Sequence, residues 1–172
     1  GGRRFDPGIL HFNHRGTRVR HEAIVGRRPH MIVRRVLAAC DGTDVSLRGV
    51  IAAAAVADRY GAELLLLTVV PVPQHVMSAV KLGGRTVEEY VEHMAAGALA
   101  SSIAVLKQQR VGAEVKVVMG SPAESVVAEA DACGADLVVM GRRQRVEPKD
   151  LVLGSVSDRV GRNIDVPILL VP

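Results

Sequence analysis

The chain has 172 residues, 48% of them hydrophobic but only 2% aromatic, with no Trp. That length suits one domain burying about two thirds of its unfolded surface. A core restricted to Val, Leu, Ile and Ala is the usual filling of a parallel sheet covered by helices. The longest apolar stretch, Leu64 to Val72, is interrupted by Thr68 and Pro71. It falls far short of the roughly 20 residues of a membrane-spanning helix.

The net charge of +4 conceals two unlike parts. Residues 1–35 carry nine Arg against Asp6 and Glu22, a net of +7, which leaves 13 bases and 16 acids, a net of −3, on the rest. The folded part is therefore mildly acidic. The basic arm lacks aromatic interleaving beyond Phe5 and Phe12 and has no helical or strand period, so neither nucleic acid nor a membrane is expected as a partner. Met31 directly precedes the first strand pattern. Residues 1–32 accordingly read as a basic N-terminal extension, without a fold of its own or arising from a start site set upstream of Met31, and residues 33–172 as the domain. The extension has no apolar core of a signal peptide and, over residues 1–30, no Ser. Cys40 and Cys133 have neither metal-ligand nor C-x-x-C spacing and read as free thiols of a reducing compartment, which makes the cytoplasm the expected location.

From Arg35 the pattern alternates strand and helix, as in a doubly wound α/β sheet. The first strand is Arg35 to Cys40, ending at Asp41-Gly42. Thr43 or Asp44 caps a helix running to about Tyr60, with Leu47, Val50, Ile51, Ala54 and Ala57 as its expected apolar stripe, and Gly61 closes it. Ala62 to Val70 is a second strand, central because it is apolar on both faces from Leu64. Residues 71–84 form a long loop of the kind that carries function. A helix follows over about Thr86 to Gln109, with Val87, Val91, Met94 and Ala98 expected on one face. Ala113 to Met119 is the third strand. Pro122 at a first helical position, with Ser121 and Glu124 spaced as a capping box, opens the next helix, which ends near Cys133-Gly134. Asp136 to Met140, a helix from Ser155 to about Asn163, and Val166 to Val171 complete five strands and four intervening helices.

In such sheets ligands bind beyond the carboxyl ends of the strands, where strand order reverses. Asp41, the loop after Val70, Gly120 and the loop after Gly141 all fall at such ends. Gly141 is followed by Arg142, Arg143, Gln144 and Arg145, and Gly154-Ser155 then opens a helix. This is a backbone suited to phosphate, because glycine permits close approach and a helix N-terminus offers unpaired N–H groups. Ser155 serves equally as a simple N-cap, and the three Arg as a solvated loop balanced by Glu147 and Asp150. Asp41 suits a ribose hydroxyl or a base amino group, and equally an Asp-Gly turn.

The blocks Asp136-Leu-Val-Val-Met-Gly141, Gly154-Ser-Val-Ser-Asp-Arg-Val160 and Val166-Pro-Ile-Leu-Leu-Val171 together resemble the C-terminal part of the universal stress protein family. Leu37-Ala-Ala-Cys-Asp41-Gly-Thr-Asp44-Val-Ser46 is similar to that family's first strand and turn, and Gly120-Ser-Pro-Ala-Glu124 to its third turn. The resemblance covers about residues 33–172. It implies a five-stranded parallel sheet of order 3-2-1-4-5 and a homodimer joined through the last strand, Val166 to Val171. It also implies ATP or another adenine nucleotide, with Mg, on a Gly-x2-Gly-x9-Gly-Ser/Thr loop. Position by position, Gly141, Gly154 and Ser155 match that loop, flanked by Met140, Arg142, Arg143 and Val156. Asp41 matches the acid near the adenosine, Val69 or Val70 the contact at the base edge, and Gly120 the third turn.

The second loop glycine is replaced by Gln144. Where that position needs a positive φ, a Gln costs about 1–2 kcal/mol, or about 5–30-fold in affinity. A well-placed charged hydrogen bond from Arg142 or Arg143 returns about 1.5–3 kcal/mol. The expected function is a stress-response regulator binding ATP, weakly, as a conformational signal. The alternatives are an interaction dimer without nucleotide and a slow ATPase. No catalytic residue is expected: the chain has no Gly-x4-Gly-Lys-Ser/Thr loop, no His-Glu-x-x-His and no Gly-x-Ser-x-Gly elbow. His75 and His93 read as surface residues, and no metal site of the protein's own is expected.

Overall fold

Short Val/Leu-rich runs, each stopped by a turn residue, become five strands that need cover on both faces, and the amphipathic segments between them supply it. In a computed structural model, which describes residues 32–73, 86–142 and 156–172, the elements are β1 (Arg35–Cys40), α1 (Asp44–Tyr60), β2 (Glu63–Val70), α2 (Val87–Gln109), β3 (Glu114–Met119), α3 (Pro122–Cys133), β4 (Leu137–Gly141), α4 (Val156–Asn163) and β5 (Ile168–Val171). All strand pairs are parallel and the order is β3-β2-β1-β4-β5, the expected arrangement. The chain divides into two units, Gly1–Ile32 and Val33–Pro172, and the elements named above belong to the second.

Two apolar layers sandwich the sheet. One, under α1 and α2, is centred on Val36, Ala38, Val50, Leu66, Leu99 and Val139. The other, under α3 and α4, is centred on Leu37, Leu67, Val126, Val138 and Val160. Strand alternation assigns neighbouring residues to opposite layers.

Helix ends follow the expected chemistry with one exception. Thr43 caps α1, its side chain accepting from the Ser46 N–H, and Gly61 ends it at φ 63°. Thr86 and Glu89 form a full capping box on α2, which ends on Arg110 in the left-handed region, at φ 57°. The Ser121–Glu124 capping box is absent. Ser121 occupies the N-cap position without a side-chain hydrogen bond, and the Glu124 carboxylate is turned to Arg159, whose Nη2 donates to Glu124 Oε1 at 3.3 Å. β5 is shorter than expected, beginning at Ile168, after Pro167 whose carbonyl accepts from Val138 N at 3.0 Å.

The expected stripes hold at Val50, Ala54 and Ala57 and, half-buried, at Val91, and are shifted elsewhere. In α1 the buried residues are Ser46, Gly49, Val50, Ala53, Ala54 and Ala57, while Ile51 is 38% exposed. In α2 they are Ala95, Leu99, Ser102 and Leu106, and Met94 is 45% exposed. α1 puts mostly small side chains against the sheet, which permits close approach, and leaves Ile51 at the margin, whereas α2 buries Leu99 and Leu106 beside its small residues.

Candidate functional site: a cleft at the strand-order reversal

The site begins where β1 runs out. Asp41 Oδ1 accepts from the Thr43 N–H at 3.0 Å and from Thr43 Oγ1 at 2.6 Å. Ser46 Oγ donates to the Thr43 carbonyl at 2.9 Å and accepts from Asp41 N at 3.2 Å. This network fixes Asp41 as a turn residue while leaving it exposed at the rim. Both readings of Asp41 are thus compatible with its geometry. Gly42 makes the turn with φ +81°, and a Cβ there would stand 2.9 Å from the Cα of Ala98 in α2.

β4 ends against the same turn. A Cβ on Gly141 would lie 2.2 Å from the Val45 carbonyl oxygen and 2.8 Å from Ser46 N, while one on Gly49 would lie 2.8 Å from Gly141 N. Two glycines therefore let the end of β4 press into the first turn of α1. The close approach that Gly141 visibly permits is to protein backbone. β3 ends at Gly120, whose N–H donates to the Val70 carbonyl at 3.2 Å. Its φ of +152° and a Cβ contact of 2.8 Å with Ser125 Oγ disfavour any side chain there.

Between these ends, on the α3/α4 side of the sheet, lies a cleft of about 500 Å³. Its apolar lining includes Ala39, Leu67, Val69, Met140, Pro122 and Val126, and its polar lining includes Asp41, Ser46 and Ser157. β1 and β4 are neighbours in the sheet, yet the helices that follow them pack on opposite faces. The cleft opens at that divergence, where an α/β sheet offers its ligand site. A second cavity, of about 400 Å³, lies at the amino ends of the strands and is bordered by Arg35, Glu63 and Glu114. There the Arg35 guanidinium is held by Glu63 and the Cys133 carbonyl, an arrangement that ties β1 to its neighbours.

Of the residues expected at the site, Asp41, Val69, Met140, Gly141 and Val156 line the cleft. Val70 does not: alternation buries it in the α1/α2 layer, 3% exposed. Gly120 ends β3 outside the lining residues. Arg142 follows β4, is exposed, and donates its N–H to the Val171 carbonyl at 2.7 Å. Arg143, Gln144, Gly154 and Ser155 lie outside the described residues. The sequence reading overlooked Ala39, Ser46, Leu67, Pro122, Val126 and Ser157. The alternation that selects Val69 also selects Leu67 and Ala39, and Ser157, 3% exposed, stands in the first turn of α4.

The two thiols are free. Burial pushes the Cys40 thiol up to about 11, against weaker opposing effects of the Ser102 and Thr68 hydroxyls. Burial likewise raises Cys133. Neither has the lowered pKa of a reactive cysteine.

The lining suits an adenine nucleotide. The volume falls within the range of small-molecule sites. The apolar floor matches a flat base, the Asp41 carboxylate matches a ribose hydroxyl, and the start of α1 contributes a helix dipole directed at the rim. Among the described residues no group of three His, Cys, Asp or Glu side chains is placed to hold a metal.

Comparison with known proteins identifies the family of the fold. The model of the universal stress protein family matches residues 32–172. The chain is 33% identical over 73 residues to stress response protein NhaX of Bacillus subtilis, a match covering 42% of this chain and less than half, 44%, of that protein. It is 30% identical over 155 residues to universal stress protein YxiE of the same organism, covering 80% of this chain and 97% of that one. Among solved structures, it is similar to a universal stress protein in complex with cAMP, with TM-score 0.67, 25% identity and coverage of 82% and 98% of the two chains. The universal stress protein from Archaeoglobus fulgidus in complex with dAMP shares the fold, with TM-score 0.60, 19% identity and coverage of 82% and 99%. With its family match over 32–172, its strand order and its cleft at the reversal, the chain belongs to the universal stress protein family.

Proposed function

We propose that this protein is a stress-response regulator that binds an adenine nucleotide in the cleft between β1 and β4, with ATP and Mg as the physiological ligand and the bound state as its signal. The observation that carries this reading is the cleft itself, an apolar floor of Ala39, Leu67, Val69 and Met140 under a rim bearing Asp41. A similar universal stress protein was solved with cAMP and another with dAMP, which supports an adenosine-shaped site on this fold. In this reading the base lies over Val69, the ribose meets Asp41, and the phosphates run toward Gly141, Gly154 and Ser155, with Arg142 or Arg143 offsetting the effect of Gln144. Dimerisation through the last strand and a cytoplasmic location complete the proposal. Among the described residues no helix is long and apolar enough to cross a membrane. The protein transmits occupancy rather than turning substrate over.

Gln144 favours a second reading, an interaction dimer that has lost nucleotide. Equilibrium dialysis of ATP against wild type and Gln144→Gly separates the two. The expected result is binding by wild type, and tighter binding by about 5–30-fold in the variant, as relief of about 1–2 kcal/mol dictates. Absence of binding at millimolar ATP in both proteins would establish the second reading.

A further inference from the structure

The β3 edge carries an unusual apolar row. Among the described residues β3 pairs only with β2, and Val115, Val117 and Met119 are 44%, 39% and 61% exposed. The intervening residues turn to the other face, where Lys116 pairs with Glu129 of α3 at 2.6 Å and Val118 packs on the α3/α4 layer. The phase of the backbone is fixed as well. Gly120 N donates to Val70 O, and Val70 is the register partner of Met119. Residues 118 and 120 thus address β2, and the N–H and C=O of Val115, Val117 and Met119 point outward. The exposed side chains and the outward backbone groups belong to the same three residues.

We propose that β3 is a self-pairing edge, at which a second copy of this chain adds its own β3 antiparallel about a two-fold axis through Val117. That register places Val117 opposite Val117 of the copy and Val115 opposite Met119, with all three side chains of each copy on one face. Each opposed pair is of the hydrogen-bonded kind, which gives up to about six new backbone bonds. On the other face Lys116 stands opposite Val118. Moving the axis to residue 116 would set Lys116 against its own copy, and like charges directly opposite disfavour that register. Moving it to residue 118 would leave Val115 unmatched. The match of charge and apolar pattern under a two-fold operation selects a second copy of the same chain as the occupant. On β5 the same phase argument, from Val138 N to Pro167 O and Arg142 N to Val171 O, turns only Ile168 and Leu170 outward. The β3 contact rests neither on the nucleotide reading nor on the last-strand contact.

The test uses the full chain carrying Cys133→Ser, with Val117→Cys or Val115→Cys added, under mild oxidation. Opposed residues of a hydrogen-bonded pair have Cα atoms about 5.5 Å apart, within disulfide range. Two copies of residue 115 are offset by four residues and lie beyond it. The expected result is a covalent dimer for Val117→Cys and little for Val115→Cys. Sedimentation of Val117→Lys, a substitution at an exposed edge position, is expected to show self-association weakened at least about tenfold by opposed like charges. A Val117→Cys protein that stays uncrosslinked, equal crosslinking at the two positions, or wild-type sedimentation of Val117→Lys would each overturn the proposal.

Discussion

On one face of the sheet, α1 and α2 seal Val36, Ala38, Leu66 and Val139 into a continuous layer. On the other, Leu37, Leu67 and Val138 are equally buried under α3 and α4, but one step further along the strands Ala39, Val69 and Met140 border a cleft. The residue types are the same on both sides. The difference lies in how the helices leave. α1 folds back from the end of β1 and is locked to β4 by the Gly49–Gly141 contact. α3 and α4 approach the opposite face with their N-termini beside Pro122 and Val156, and among the described residues no side chain fills the space between them. A binding cavity thus arises from a change of direction in the chain, and the apolar residues that line it are the continuation of an ordinary core.

The contrast can be broken most severely at the lock. Gly141→Ala forces a methyl group into the Val45 carbonyl, a backbone atom that cannot rotate away. Urea unfolding is expected to show a loss of about 3 kcal/mol or more, whereas an open glycine such as Gly61, with nothing near its Cβ position, costs about 1 kcal/mol through its positive φ alone. Equal losses at the two positions would discount the lock.

Next in size is Leu66→Ala on the sealed face. Leu66 is fully buried, so about 2–4 kcal/mol of stability should be lost by the same measurement.

Cys40, on the same face, adds a pH dependence. Its thiol titrates at about 11 in the folded protein against an ordinary 9.0. The folded state therefore holds a proton that the unfolded chain releases, and the resulting stability, complete below pH 9, is lost as pH rises toward 11. The total is about 3 kcal/mol. Relative to Cys40→Ala, wild type should weaken progressively between those limits, as followed by urea unfolding at stepped pH. A constant difference between the two proteins would contradict the assignment.

The smallest effect belongs to the open face. Val69 is half-buried at the cleft, and Val69→Ala should cost under about 1 kcal/mol of stability while weakening nucleotide binding several-fold.

Much of this was legible in the sequence, for identifiable reasons. Runs such as Leu64 to Val70 and Leu137 to Met140, closed by Gly or Pro, mark buried parallel strands, and Gly61, Thr86 and Gly134 mark helix ends by backbone chemistry that acts locally. The helix stripes were legible only in part: Val50, Ala54 and Ala57 are buried as expected and Val91 packs against the core, but the rest of each stripe is shifted. Hydrophobicity favours Leu47, Ile51 and Met94, but packing against a flat sheet selects Gly49, Ala53 and Ala95, which sit closer. The capping box at Ser121 is absent, and its Glu124 carboxylate has a tertiary partner, Arg159, that local spacing cannot reveal. For the site, the strand ends named Asp41, Val69, Met140 and Gly141 correctly as neighbours. The choice between Val69 and Val70 needed the strand's phase, and Pro122, Val126 and Ser157 needed the third dimension. Arg143, Gln144, Gly154 and Ser155 lie outside the described residues, so their part in the site still rests on the sequence.

The proposed nucleotide seat is tested most directly by calorimetric titration of ATP into wild type and into Ala39→Phe, a substitution that sets a ring in the floor of the cleft. Wild type is expected to bind, and Ala39→Phe to retain its fold by circular dichroism while losing at least about tenfold in affinity. Equal binding by the two proteins would place the nucleotide elsewhere and contradict the cleft as its site.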